Sequence, residues 1–278
     1  MKLTCVTAVY NAIAAGNREK LVCCAKSVAA LRTPHEHLFM DGASTDGTLE
    51  LLRELEGEIP GLKVLSSKDT GIYNALNKGV RDARGEWLYV WGCDDFLCAP
   101  AELDAVLADA AQADEVLVSP VETDGTDAPF DPGRDLWKVL WCTPYCHQGV
   151  LMRTDLVRRF KGFDERFRIA ADYDLMLRLH LAARSVRYTS RTFAHFSAGG
   201  SCGQQVETMA EDFRRISAER LGLSEAESAA YRRRGILPLR RSIACLLHGD
   251  RAVRQGARRM LKRGLARLAG LGPKPLDI

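Results

Sequence analysis

The segment "GEWLYVWGCDDFLC", residues 85–98, places two adjacent carboxylates directly after a strongly hydrophobic stretch. The apolar residues 88–91 predict a buried strand. Asp94 and Asp95 follow it, although neighbouring carboxylates repel each other and are costly to bury without a counter-charge. One explanation is a turn that caps the next segment. The other is a divalent cation between the two side chains, and oxygen ligands favour magnesium or manganese over zinc.

Strands and helices alternate on both sides of this segment. Strand patterns cover residues 3–9, 37–40 and 62–67, and helical spacing of apolar residues covers 20–31, 49–55 and 73–83. Such alternation predicts an α/β fold with a mostly parallel sheet and helices on both faces. Later segments are less regular, and residues 120–145 read as a long irregular connection.

Polar residues follow several of the predicted strands. They are Tyr10 and Asn11, Asp41, Asp69 and the pair Asp94–Asp95. Since ligands of open α/β sheets bind beyond the carboxyl ends of the strands, we expect these loops to meet at one edge of the sheet.

Composition and missing motifs exclude several classes of protein. A chain of 278 residues with 46% hydrophobic and 27% charged residues fits a soluble globular protein, and no run of about 18 apolar residues suggests a membrane span. The short β-branched run at the N-terminus predicts a buried strand rather than a signal peptide. The nine cysteines lack framework spacing, which favours reduced thiols in a cytosol. Neither a dinucleotide-binding GxGxxG after the first strand nor a P-loop is present.

The C-terminal part of the chain is strongly basic. Residues 231–278 contain 13 Lys or Arg and only two acidic residues, whereas the remainder contains 26 basic and 34 acidic residues. From Arg254 onward, apolar residues fall on one helical face and basic residues on the other. We therefore expect two parts, residues 1–230 and a helical tail over 231–278. A basic amphipathic helix suits an anionic membrane surface, and the alternatives are packing on the body or an oligomer contact. No nucleic-acid-binding module accompanies the arginines, so nucleic acid is not an expected partner.

Five segments together resemble family 2 glycosyltransferases, and most closely the bacterial branch that builds exopolysaccharides and lipopolysaccharide outer chains. They are "VTAVYNA", "DGASTDGT", "KDTGIYNALNKG", "GEWLYVWGCDD" and "FRIAADYDLMLRL", in the family's order over about residues 3–201. The resemblance implies a GT-A fold and a Mn²⁺- or Mg²⁺-dependent transfer of a sugar, with inversion, from a nucleotide-diphosphate donor such as a UDP-, GDP- or dTDP-sugar. Position 74 is Asn, where close relatives usually carry Asp.

The same resemblance implies roles for the residues at the strand ends. Asp41 would bind the nucleobase or its ribose, in a pocket that Tyr10 and Asn11 also line. Asp69 would face the nucleoside, with Lys68 as a phosphate contact. Asp95 would bind the metal directly, and Asp94 would reach the metal or the ribose.

Asp172 matches the position of the family's catalytic base. It would accept the proton of the acceptor hydroxyl as that oxygen attacks the anomeric carbon. The alternative is that Asp172 is the N-cap of the following helix, and Asp174 could equally serve the helix dipole.

Other polar and aromatic residues have two interpretations. His147 could contact the acceptor or a phosphate, or could be a hydrogen-bonded structural residue; Trp141 could stack on an acceptor sugar, or could pin its loop to the body. For His195 the structural interpretation is preferred.

The expected protein is an enzyme that extends a glycan or lipid-linked glycan in bacterial surface-polysaccharide synthesis, on the cytoplasmic face of the plasma membrane. Two alternatives remain: a non-catalytic nucleotide-sugar-binding subunit, and a sugar-phosphate nucleotidylyltransferase. A nucleotidylyltransferase would have a glycine-rich basic loop after the first strand, and "VYNAIAAGN" (residues 9–17) has no such cluster.

Overall fold

The computed structural model of the chain describes residues 1–126, 128–131, 136–182, 184–197, 205–234 and 236–268. Contacts within the chain divide it into two compact units. The first unit comprises Met1–Gly133, Tyr145–Arg166 and Ser185–Gly200, and the second comprises Arg134–Pro144, Phe167–Arg184 and Ser201–Ile278. The expected division at residue 230 stays a prediction.

The first unit is built on a seven-stranded sheet and a small three-stranded one. The strands are β1 (Leu3–Val9), β2 (His35–Asp41), β3 (Leu62–Ser66), β4 (Trp87–Gly92), β5 (Phe96–Leu97), β6 (Val116–Val118), β7 (Val121–Thr123), β8 (Val150–Arg153), β9 (Val186–Tyr188) and β10 (Ala194–Phe196). The large sheet has the order β3-β2-β1-β4-β8-β6-β9, and the small one β5-β10-β7. In the large sheet β8 runs antiparallel to both neighbours while the other pairs are parallel, which confirms the predicted mostly parallel sheet.

Helices follow most strands of the first unit and form most of the second. Those of the first unit are α1 (Arg18–Ala29), α2 (Thr48–Glu58), α3 (Ile72–Asp82), α4 (Pro100–Ala108) and α5 (Thr154–Arg159), with a 3₁₀ turn at His147–Gly149. Those of the second unit are α6 (Ala171–Leu181), α7 (Val206–Leu221), α8 (Glu225–Arg234), α9 (Leu239–His248) and α10 (Arg251–Leu268), with a 3₁₀ helix at Leu136–Leu140. The helices predicted in the first half are confirmed within a few residues at each end.

Burial explains why the central strands tolerate so little polarity. All seven residues of β1 are buried, as expected for a parallel strand covered on both faces. On α1, the residues Leu21, Cys24, Ala25 and Val28 recur at helical spacing and are buried in the same core.

In the second unit, the helices pack on one another. The apolar residues Val253, Ala257 and Met260 of α10 are buried, and α10 packs against α9 and the 3₁₀ helix at Leu136–Leu140. Ser224 and Glu227 form a capping box at the start of α8, with reciprocal hydrogen bonds of 3.3 and 2.8 Å. Within the described ranges, no helix is both long enough and apolar enough to cross a membrane.

Candidate active site

The strand register brings the polar strand ends of the first unit into one row. Val9 of β1 lies opposite Asp41 of β2, Asp41 lies opposite Ser66 of β3, and Ala8 lies opposite Gly92 of β4. The loops that follow these strands therefore begin at the same level. The predicted convergence of the loops after β1, β2 and β4 at one edge of the sheet is confirmed.

Asp41 is buried and holds the loop that follows β2. Its Oδ1 accepts a hydrogen bond from Ser44 Oγ (2.5 Å), and its Oδ2 accepts one from Ser66 Oγ (2.6 Å). The Ser44 amide lies within 3.3 Å of both oxygens. These donors occupy most of the lone pairs of the carboxylate, so Asp41 shapes this edge of the sheet. The expected contact of Asp41 with a nucleobase or ribose stays a prediction.

Asn11 joins the first loop to the second. Its backbone amide donates to Ser44 Oγ (2.9 Å), and its Oδ1 accepts from the amide of Thr45 (2.9 Å). Its φ of 45° lies in the left-handed region, which asparagine tolerates better than most residues. Ser44 and Ser66 were not singled out from the sequence, although a Ser three positions after the Asp in "DGAS" is typical of a side-chain-stabilised turn.

Tyr10 and Asp69 converge on Gly42. Tyr10 is 64% exposed, which is unusual for a tyrosine that directly follows a buried strand. A Cβ atom on Gly42 would lie 3.1 Å from Tyr10 Cδ2 and 2.7 Å from Asp69 Oδ2. Asp69 is thus brought to the same edge, with an aromatic face beside it. The close approach requires glycine at position 42.

Lys68 presents an exposed side chain next to Asp69. Its carbonyl oxygen accepts a hydrogen bond from Lys78 Nζ (2.6 Å), which also donates to Ser67 Oγ (2.9 Å). Asp69 Oδ1 accepts from the amide of Gly71 (3.0 Å), immediately before α3. The loop therefore carries one lysine and one carboxylate before α3, and Lys78 of α3 is hydrogen-bonded to it.

The structure gives a physical reason for asparagine at position 74. Asn74 Nδ2 donates to Glu165 Oε2 (3.0 Å), and Asn77 Nδ2 donates to Glu165 Oε1 (2.9 Å). The hydrogen bond from Asn77, aided by those from Asn74 and Thr70, holds the pKa of Glu165 below its ordinary value. An aspartate at position 74 would repel Glu165 and would have no proton to donate to it.

Asp95 is buried, and neutral donors hold both of its oxygens. Oδ1 accepts from the backbone amide of Ser197 (3.0 Å), and Oδ2 accepts from Gln148 Nε2 (2.9 Å). Ser197 Oγ also donates to the carbonyl oxygen of Asp94 (2.7 Å), so Ser197 contacts both members of the pair. Neither Gln148 nor Ser197 was identified from the sequence. The only local signal for Gln148 is its place directly after His147.

The two carboxylates lean over Gly92, where β4 ends. A Cβ atom on Gly92 would lie 2.6 Å from Asp94 Oδ1 and 3.6 Å from Asp95 Oδ2. Burial raises the pKa of Asp95 and the charge of Asp94 raises it further, while the bonds from Gln148 and Ser197 and the nearby His147 act in the opposite direction. His147 therefore belongs electrostatically to this site.

A divalent cation fits these residues. Among the residues that the structure describes, no Lys or Arg forms an ion pair with Asp95, and no three His, Cys, Asp or Glu side chains are grouped to hold a metal by themselves. Two carboxylates would leave most coordination positions to water and diphosphate oxygens, as is usual for magnesium. Glycine at position 92 leaves room for the Asp94 carboxylate, with which a Cβ atom would collide.

In the second unit, the structure distinguishes Asp172 from Asp174. Asp174 is fully buried and bound by the guanidinium groups of Arg220 (2.6 Å) and Arg178 (2.8 Å). Asp172 is half-buried and lies inside the first turn of α6, whose N-cap residue is Ala170. The N-cap alternative for Asp172 is therefore wrong, and Asp174 is a structural ion-pair residue. The role of Asp172 as a base stays a prediction.

Trp141 and His195 are packed as structural residues. Trp141 is 8% exposed, and its ring meets Tyr231 edge-on within the second unit, with centroids 5.0 Å apart. This arrangement matches the alternative in which the tryptophan pins its loop. His195 stacks on Phe96 (4.6 Å), and its Nε2 lies 3.3 Å from Asp124 Oδ1.

Comparisons with known proteins identify the family of this chain. Residues 4–167 match the profile of Glycosyl transferase family 2. A PGL/p-HBAD biosynthesis glycosyltransferase of Mycobacterium tuberculosis is 30% identical over 147 residues, which cover 51% of this chain and 57% of that protein. The O-antigen biosynthesis protein RfbC of Myxococcus xanthus is 28% identical over 207 residues, which cover 72% of this chain and 16% of that protein. The chain thus spans about half the length of the first relative and less of the second.

Solved structures share the fold. S. aureus TarS 1–349 in complex with UDP-GlcNAc has a TM-score of 0.66 at 19% identity, covering 96% of this chain and 92% of that chain. The mannosyltransferase PcManGT from Pyrobaculum calidifontis, in complex with GDP-Man and Mn²⁺, has a TM-score of 0.63 at 18% identity, covering 96% and 80%. The predicted GT-A-like α/β fold is confirmed.

Proposed function

We propose, from the premise that this chain belongs to glycosyl transferase family 2, that it moves a sugar from a nucleotide-diphosphate donor to a hydroxyl of a glycan or lipid-linked glycan. Membership of the family confirms the predicted enzyme class. What we propose beyond the enzyme class is the kind of donor and acceptor, the use of a metal and the inversion of the anomeric carbon.

The observation that carries the proposal is the row of strand ends in the first unit. It brings an exposed aromatic ring, Tyr10, together with Asp69 and a carboxylate pair, of which Asp95 is buried, at one edge of the sheet. An aromatic face beside polar groups suits a nucleobase and its ribose. The exposed side chain of Lys68 is a suitable contact for a phosphate.

Asp94 and Asp95 are the residues that would hold the metal. A Mn²⁺ or Mg²⁺ ion bound there would offset the repulsion between the two carboxylates and supply positive charge for the departing diphosphate. Gln148 and Ser197 keep Asp95 in place for that role. The presence of Mn²⁺ and GDP-Man in the PcManGT complex supports this part of the proposal.

Asp172 is the proposed base. It would take the proton of the acceptor hydroxyl while that oxygen displaces the nucleoside diphosphate in one step, which inverts the anomeric carbon. Because Asp174 is fully buried and bound by two arginines, we assign the role of base to Asp172, the half-buried carboxylate of "DYD".

The relatives point to the class of acceptor and pathway. Proteins named for O-antigen biosynthesis and for chondroitin synthesis are among the matches, and both names refer to polysaccharides. We propose a bacterial surface polysaccharide, assembled at the cytoplasmic face of the plasma membrane, as the product.

Calorimetric titration with UDP, GDP and dTDP, with and without Mn²⁺, tests the donor site. We expect one nucleotide to bind more tightly than the others, and only with the metal. Equal binding of all three without metal, or no binding at all, would contradict the proposal.

The Asp172→Asn variant tests the chemistry separately. Donor binding should be retained while sugar transfer falls by about 10²–10⁴-fold. Glu225→Gln, a change at an exposed acidic residue of the same unit, should leave both unchanged. A wild-type chain that binds a nucleotide sugar, but neither transfers its sugar to an acceptor nor hydrolyses it, would instead indicate a non-catalytic subunit. Formation of a nucleotide sugar from a sugar phosphate would indicate a nucleotidylyltransferase.

A further inference from the structure

Helix α9 carries a stripe of large apolar side chains on its exposed side. Leu239, Ile243 and Leu247 are 61%, 46% and 69% exposed, and their spacing of four residues places them on one face of the helix. The opposite side of the helix, represented by Ser242 and Cys245, is buried. We call Leu239, Ile243 and Leu247 the α9 stripe.

The neighbouring helix α10 presents charge instead. Its apolar residues Val253, Ala257 and Met260 are buried in the second unit, whereas Leu265 is 57% exposed. The basic residues Arg251, Arg254, Arg258 and Lys262 are exposed. None of these four forms an ion pair with any residue in the described part of the chain. The sequence predicts that the apolar face of α10 contacts a membrane. Ala257 and Met260 on that face are instead buried in the protein, so part of the face packs within the second unit.

We propose that the α9 stripe docks the protein on a bilayer that contains anionic phospholipids, with the basic residues of α10 attracted to the headgroups. Helices that lie in a membrane interface combine an apolar face buried at the acyl boundary with flanking Lys and Arg. Here the exposed apolar residues lie on α9 and the basic residues on the following helix, α10. Residues 231–278 contain 13 basic and two acidic residues, which matches a surface of negative lipid headgroups.

Charge complementarity selects lipid over the other occupants. A second copy of the chain that docked through the same face would bring the same basic segment against this one, and like charges would repel. A nucleic acid would bind the arginines but would have no use for a stripe of exposed leucines and isoleucine. The proposal goes beyond the transfer reaction and does not depend on the donor or on the base.

Flotation of the full chain with vesicles tests the docking. We expect binding to vesicles of equal parts phosphatidylcholine and phosphatidylglycerol, and little binding to phosphatidylcholine alone. The triple variant Leu239→Gln, Ile243→Gln, Leu247→Gln should reduce binding by about 100-fold or more, because each buried Leu or Ile contributes about tenfold. Val206→Gln, at an isolated position of α7 that is 60% exposed, is the matched control and should bind as the wild type does.

Two further measurements separate the apolar contact from the charge. Ile243→Trp should show a blue-shifted emission with anionic vesicles and quenching by brominated lipid, which a purely electrostatic contact would not produce. The triple variant Arg254→Gln, Arg258→Gln, Lys262→Gln should lose the preference for phosphatidylglycerol.

Several outcomes would overturn the proposal. One is a wild-type chain that does not float, and another is a stripe variant that floats normally. A third is a wild-type dimer in vesicle-free solution that the stripe variant abolishes, which would identify a second copy as the occupant. Circular dichroism and nucleotide titration of the same variants show that the second unit is folded and that the donor site is unaffected. Loss of docking is thereby distinguished from failure of the proposed function.

Discussion

Glu36 and Asp95 are both buried carboxylates of the first unit, but only Glu36 is paired with a cationic side chain of the protein. Glu36, on β2, is 1% exposed and accepts hydrogen bonds from the Arg84 guanidinium (2.6 and 2.9 Å), from the Arg84 amide (2.7 Å) and from Thr4 Oγ (2.8 Å). Asp95, after β4, is 2% exposed and is held by two neutral donors, Gln148 and Ser197.

The pKa values of the two groups move in opposite directions. Burial acts to raise the pKa of Glu36, but the hydrogen bonds from Arg84 and Thr4 outweigh it, and the pKa is lowered. Burial raises the pKa of Asp95, and the adjacent charge of Asp94 adds to this. A carboxylate with its own arginine is part of the framework, as Asp174 is in the second unit. A buried carboxylate that has no arginine and lies beside a second carboxylate is suited to a cation from outside the chain.

The largest expected difference is in metal binding. Asp95→Asn should lower the affinity for Mn²⁺ in the presence of the nucleotide by about 100-fold or more, because it removes the charge that binds the ion. Calorimetry or the electron paramagnetic resonance signal of free Mn²⁺ measures this. Asp155→Asn, at a carboxylate whose side chain is 73% exposed, is the control. Unchanged Mn²⁺ affinity in Asp95→Asn would remove the main distinction between Asp95 and Glu36.

The second prediction concerns stability. Glu36→Gln should lower the free energy of unfolding by about 1–3 kcal/mol, because an amide NH₂ group would face a donor of Arg84 or Thr4 that now binds a carboxylate oxygen. It should leave Mn²⁺ affinity unchanged. Urea denaturation measures the loss. Asp95→Asn should not destabilise the metal-free protein, because a reoriented Gln148 amide and the Ser197 amide can still pair with an asparagine. A Glu36→Gln protein as stable as the wild type would be evidence against the framework role of Glu36.

The sequence predicts which carboxylates reach the sheet edge because that information is local. Asp94 and Asp95 directly follow the hydrophobic run of β4, and Asp41 ends β2, so the strand pattern alone places them. Their donors are not local. Gln148 and Ser197 lie 53 and 102 residues from Asp95 along the chain, and no spacing rule connects them.

In the second unit, too, the contacts that define a residue's role come from distant parts of the chain. The motif "DYD" offers two carboxylates. Arg178, four residues after Asp174, is a local signal for an ion pair, but the second arginine that binds Asp174, Arg220, lies 46 residues away. The periodicity from Arg254 onward predicts an amphipathic helix, and α10 covers Arg251–Leu268. What covers its apolar residues depends on tertiary packing against α9 and Leu136–Leu140, which periodicity does not encode.

A smaller effect is expected at the residue that positions Asp95. Gln148→Leu should lower Mn²⁺ affinity about tenfold, because the metal ligand stays but loses one of its two fixed hydrogen bonds. Gln148 is buried, and leucine fills a comparable volume, so the unfolding transition serves as the check that the fold is retained. A loss as large as that of Asp95→Asn would mean that Gln148 acts as more than a positioning residue.

The smallest effect, and the one that tests the comparison most directly, is the pH dependence of stability without metal. Glu36 has a lowered pKa, so its contribution is present above the pKa of the unfolded chain, about 4, and is lost as the pH falls through the folded value. Asp95 has a raised pKa, so the folded protein loses stability as the pH rises from about 4 through the folded value. With rising pH, the stability of the wild type should therefore increase relative to Glu36→Gln and decrease relative to Asp95→Asn. Mn²⁺ with nucleotide should abolish the second trend at neutral pH, because the cation compensates the ionised pair. Parallel trends for the two variants would mean that Asp95 is neutralised within the chain after all, as Glu36 is.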